Sequence, residues 1–150
     1  MRKAFFYLSF IFAAGCASMP TLQEVRTYPA TDSLTIPKDT YCAYNKLYKA
    51  AVETPVSAWC TGFFSPWVST WDPALKSGEI FLGPREPHPI ILFQIIESKT
   101  TIVEAKIGYI GATGCATESL SQQRISDILS SADFSGCPDY QELQISPTSP

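Results

Sequence analysis

The sequence predicts an α+β domain. A helix, an antiparallel sheet of three to four strands and a C-terminal helix are expected, braced by disulfides, with both helices on one face. Three observations carry this expectation. Tyr44, Leu47, Tyr48 and Ala51 recur at helical spacing, and so do Ile125, Ile128, Leu129 and Ala132. Between them, residues 90–97 (Ile-Ile-Leu-Phe-Gln-Ile-Ile-Glu) are the most apolar stretch of the body, with the length and β-branched content of a central strand. Thr101, Val103, Ala105, Ile107 and Tyr109 then alternate with Ile102, Glu104, Lys106 and Gly108, the pattern of a half-buried strand. Two amphipathic stripes are buried most simply by sharing one face of an antiparallel sheet.

In chain order, residues 17–37 carry Pro20, Pro29 and Pro37 among scattered Ser and Thr, the composition of a flexible tether. The first helix is expected over 39–53, with Asp39 or Thr40 accepting the free amides at its start. Pro55 stops it by disfavouring helical geometry at Thr54. Residues 56–64 read as a strand, and after Pro66 the segment 67–71 is extended or looped. Asp72, Pro73 and Gly78 resemble the cap, first position and exit of one helical turn. A short strand follows over 79–82. Ser98-Lys99 allows a tight connection into the strand over 100–110, without the Asn-Gly chemistry that fixes register. The last helix is expected over 119–132, opened by a Ser119/Gln122 capping box and ended by Gly136 and Pro138. Residues 141–150 finish in Ser-Pro-Thr-Ser-Pro and read as a disordered tail, which leaves 38–140 as one folded domain.

The amino end is laid out as a secretory signal. Met1-Arg2-Lys3 is basic, residues 4–14 form an apolar run, and Gly15 is small. This run of eleven residues, apolar except for Ser9, falls well short of the roughly 20 that span a membrane. Ala13-Ala14-Gly15-Cys16 resembles a bacterial lipobox, with Ala13 where leucine is commonest. The resemblance covers residues 1–17. It implies a signal peptide over 1–15 and a Cys16 that receives diacylglycerol and heads a lipidated tether over 16–37. Ala17-Ser18, without the aspartate that commonly retains such proteins at the inner membrane, implies the outer membrane with the domain facing the periplasm.

Cysteine parity fits export. Of five cysteines, Cys42, Cys60, Cys115 and Cys137 remain once Cys16 is acylated, an even set that reads as a disulfide framework. Three connectivities are possible, and pairing of neighbours, Cys42 with Cys60 and Cys115 with Cys137, is the expected one. No two cysteines stand at Cys-x-x-Cys spacing, so redox-active and zinc roles lack support. Loss of Arg2 and Lys3 with the signal leaves 9 basic against 14 acidic side chains, or −5. That balance argues against nucleic acid and leaves membrane attachment to the acyl chains.

Candidate functional residues fall into two groups. His88, the only histidine, stands with Arg85 and Glu86 between prolines, which suits a contact loop or a stiffened surface linker. Trp67 and Trp71 share a side on a strand or a helix and are flanked by Pro66 and Pro73, dividing evenly between core and binding patch. Trp59, Phe64 and the tyrosines are assigned mostly to core. Gly108, Gly111 and Gly114 lack the Gly-Lys-Ser/Thr ending of a phosphate loop. Glu79, Glu86, Glu97 and Glu104 are present, but no motif singles out a catalytic pair. No catalytic residue, metal site or cofactor is predicted. The expected function is that of a small non-enzymatic envelope lipoprotein that binds another envelope protein as an accessory of assembly or secretion. A peptidoglycan or glycan binder, or an inhibitor of a wall hydrolase such as lysozyme, is the alternative. A hydrolase stands third, and needs a deep polar pocket around His88.

Overall fold

The computed structural model describes residues 19–55, 67–83, 89–111 and 114–140. Their order is α1 (Leu22–Arg26), β1 (Asp32–Ile36), α2 (Thr40–Glu53), β2 (Val68–Asp72), β3 (Ser77–Leu82), β4 (Ile91–Glu97), β5 (Thr101–Ile107) and α3 (Glu118–Ser131). The strands make one antiparallel sheet in the order β1-β5-β4-β3-β2. The protein is thus an α+β domain, with five strands among the described residues rather than three or four. The strand expected over 56–64 lies outside the described residues.

The predicted stripes do what their spacing requires. Ala43, Tyr44, Leu47, Ala50 and Ala51 of α2 are buried, as are Ile125 and Ile128 of α3, and both helices pack on the same sheet face. Ile80, Leu82, Ile91, Phe93, Ile95 and Val103 meet them from the strands. Each such side chain taken fully out of water contributes about 1.5–3 kcal/mol. Asp39 starts α2, its Oδ1 accepting from the amide of Cys42 at 2.8 Å, and the helix closes at Thr54. Buried Thr40 and Thr101 bond through their hydroxyls at 2.7 Å, joining the start of α2 to the start of β5.

Three local expectations are corrected. Residues 22–36, assigned from composition to a flexible tether, carry α1 and β1. Thr21 and Glu24 form a reciprocal capping box, and Val25 is fully buried against Phe81 and Leu92 on the sheet face away from α2 and α3. β1 pairs with β5 from Asp32↔Ala105 to Ile36↔Thr101. A helix of five residues is too short to show a period, and an edge strand turns only Leu34 and Ile36 inward, so neither is visible as a pattern. Next, Thr117 rather than Ser119 caps α3, its hydroxyl accepting from the amide of Leu120 at 3.4 Å. Finally, the segment after Asp72 is the tight turn of the β2–β3 hairpin. Asp72 Oδ1 accepts from the amides of Ala74 and Leu75, and Lys76 takes the left-handed position at φ 45°. Gly78 is no helix exit but lies inside β3. A Cβ there would stand 2.6 Å from the Tyr44 ring and 2.9 Å from that of Trp71, so the missing side chain lets α2 and β2 close over the strand.

Candidate functional site

Cys42, in the first turn of α2, is bonded to Cys137, with Cα atoms 5.6 Å apart across a sequence separation of 95. This overturns the pairing of neighbours. Cys137 is held by Cys42, which leaves it unable to pair with Cys115. The chain after α3 instead returns beside the start of α2. Asp39 donates its amide to Pro138 O at 2.9 Å, Tyr140 donates to Pro37 O at 3.1 Å, and Lys38 Nζ meets Asp139 Oδ1 at 2.6 Å. Cys115 is disulfide-bonded as well, to a partner outside the described residues.

The returning segment closes one wall of a cleft of about 400 Å³. The other walls are the start of α2, Trp71 and Lys76 of the β2–β3 hairpin, and Glu97 at the end of β4. Trp71 is half-buried, its ring centroid 5.0 Å from Tyr41 at 59° and 5.2 Å from Tyr44 at 43°. Tyr41 is 53% exposed and forms the outer lip. Deeper in, Glu97 is enclosed to 17% exposure, and its Oε1 lies 3.1 Å from both Lys76 Nζ and the Tyr140 hydroxyl. The single proton of that hydroxyl can go either to Glu97 or to Ser98 O, which is 2.9 Å away. Glu97 Oε2 accepts no hydrogen bond from the described residues. The cleft therefore offers two aromatic rings meeting at an angle, a poised phenol and a carboxylate with spare acceptor capacity.

A second hollow of about 540 Å³ lies against Arg26, Glu79 and Gln94. Here the polar groups satisfy one another. Arg26 grips Glu79 through two bonds of 2.8 and 2.6 Å, Gln94 adds a third at 3.0 Å, and Lys106 Nζ donates to Arg26 O at 2.7 Å. Burial acts to raise the Glu79 carboxyl, but Arg26, with Gln94 and Lys106, outweighs it and holds the group below the usual carboxylate range. The hydrogen bond to Glu79 in turn raises the Arg26 guanidinium. These contacts clamp α1 to the sheet, and larger volume does not make this hollow the better receptor.

The two candidate tryptophans part company. Trp67 is buried, 6.0 Å from the Phe93 ring, and belongs to the core, whereas Trp71 lines the cleft. Tyr44 and Tyr48 belong to the core as assigned, but Tyr41 does not. Arg85, Glu86, His88, Cys16 and Cys60 lie outside the described residues, as do Trp59 and Phe64. Lys76, Glu97 and Tyr140 had not been singled out together, because only the register Ser77↔Ile96 and the Cys42–Cys137 bond bring them to one place. Among the described residues no three His, Cys, Asp or Glu side chains converge as a metal site, and no helix is long and apolar enough to cross a membrane. Comparison of the chain with protein-family models, with curated proteins and with solved structures returned no match.

Proposed function

We propose that this protein is a lipid-anchored, non-enzymatic component of the bacterial cell envelope that binds another envelope protein through the Trp71 cleft. The observation that carries the proposal is the cleft itself. Tyr41, Trp71 and Glu97 come from α2, β2 and β4 and Tyr140 from the segment after α3, which the Cys42–Cys137 bond holds in place. Aromatic rings beside hydrogen-bonding groups are the usual anchors of a protein interface. The disulfides support export, since such bonds persist in oxidising compartments.

Attachment through Cys16 has a geometric consequence. From Cys16 to the α1 cap Thr21 there are five peptide units, a reach of at most about 18 Å. Because α1 is clamped to the sheet, an acylated Cys16 keeps the domain close to its leaflet rather than hanging it from a 22-residue spacer over 16–37. α1 packs on Leu92, and the cleft is built on Glu97, five residues or about 16 Å further along β4. The binding surface thus sits at the strand end remote from the anchor.

A photo-activated cross-linker placed at Tyr41 of the full chain in living cells tests the proposal. It is expected to trap one discrete protein adduct that is lost in Trp71→Leu, with no such adduct from exposed Leu120 on α3. Equal adducts from both positions, or none at Tyr41, contradict it. The glycan alternative draws on the same Trp71–Tyr41 rings, which can stack on sugars. Adducts of position 41 with peptidoglycan fragments in place of protein favour that alternative.

A further inference from the structure

We infer that the Trp71 cleft recognises a basic side chain of the partner, arginine in preference to lysine; this rests on the cleft being the binding surface proposed above. Asp39, Glu97 and Asp139 line it; Lys76 faces Glu97 and Lys38 meets Asp139 from beside the cleft, so among the described residues three carboxylates stand against two ammonium groups. An anionic group entering the cleft would add to this acidic surplus, and a neutral one would leave the one excess negative charge unmatched. A cation finds two kinds of partner. Glu97 Oε2 accepts no hydrogen bond from the described residues, and the carboxylate is enclosed enough for an added charge-assisted bond to be stronger than at a free surface. Beside it, the Tyr41 and Trp71 rings present π faces, the other common seat for a cation.

Arginine suits both at once. Its planar guanidinium stacks on an aromatic face while its fork of N–H groups reaches a carboxylate, and the compact ammonium of lysine cannot do both equally well. The volume of about 400 Å³ fits the range of small-ligand pockets, enough for one long side chain but not for a folded element. At longer range, the −5 charge of residues 16–150 steers a basic partner toward this surface.

The test is NMR titration of the oxidised domain, disulfides intact, with an acetyl-Gly-Arg-Gly amide peptide. Its citrulline counterpart, which keeps the shape without the charge, and chitotriose serve as further probes. The arginine peptide is expected to shift the amide of Tyr41, the indole N–H of Trp71 and the amide of Glu97, and citrulline to bind about tenfold more weakly or worse. Glu97→Gln should weaken the arginine peptide to a similar degree, while Glu118→Gln on α3 should leave it unchanged. Equal binding of citrulline, or arginine shifts spread over the acidic surface and indifferent to Glu97→Gln, overturns the inference. Shifts at Tyr41 and Trp71 with chitotriose but not with arginine overturn it too, yet leave the cleft as the binding surface. Silence from every probe also overturns it, and the cross-linking experiment then judges the parent proposal on its own.

Discussion

Glu79 shows how one side chain can hold an element that has almost no core of its own. α1 buries one residue completely, Val25, and the Arg26–Glu79 pair secures its C-terminal end. Because the folded carboxyl lies below its ordinary value, its contribution to stability is present above the unfolded value of about 4.3 and is lost as pH falls through the folded value. Glu79→Gln is therefore expected to destabilise the domain at pH 7 by on the order of 1 kcal/mol, held to that modest size because Arg26 is 40% exposed. Thermal unfolding of both proteins at pH 7 and pH 3 checks this. The gap should narrow toward pH 3, and an equal gap at both values contradicts the assignment. At the same scale, the sequence leaves Trp67 and Trp71 indistinguishable because both face the helices. What separates them is depth: Trp67 lies over Phe93 and Trp71 over the side-chain-free Gly78 at the sheet margin.

Among elements, legibility follows length and periodicity. α2, α3, β4 and β5 are long enough for stripes or alternation to rise above chance, and each lies within two or three residues of its predicted span. α1 has one turn and β1 two inward residues, so proline and threonine content dominated that segment and concealed it. The cleft was legible only in Trp71. Its other members sit at element ends, where position depends on strand register and on the Cys42–Cys137 bond, neither of which leaves a local trace. Closing a loop of this size, the bond is assigned about 4–5 kcal/mol by chain-entropy models, at the upper end of the 2–5 kcal/mol commonly lost when a native disulfide is removed. Cys42→Ser combined with Cys137→Ser should lower stability within that range in urea denaturation. It should also speed hydrogen exchange at Asp39 and Tyr140, whose amides bond across the junction. An unchanged midpoint with unchanged exchange would mean that the bond does not hold the cleft wall.

For the whole molecule, the parts form a polar arrangement. The amino end enters through α1, which is clamped to one sheet face near Leu92, while the cleft opens at the Glu97 end under a C-terminal segment stapled to α2. An acyl chain at Cys16 would turn that arrangement into an orientation, with the anchor at one end and the acidic aromatic cleft at the other. All of it presupposes an oxidising compartment, because the cleft wall is held by a disulfide. The most direct measurement is non-reducing peptide mass spectrometry of the protein taken from native membranes. We predict a diacylglyceryl-modified Cys16 at the amino end, a Cys42–Cys137 cross-link and a Cys60–Cys115 cross-link. An uncut chain beginning at Met1 with free thiols at Cys42, Cys60, Cys115 and Cys137 would contradict the account at its base.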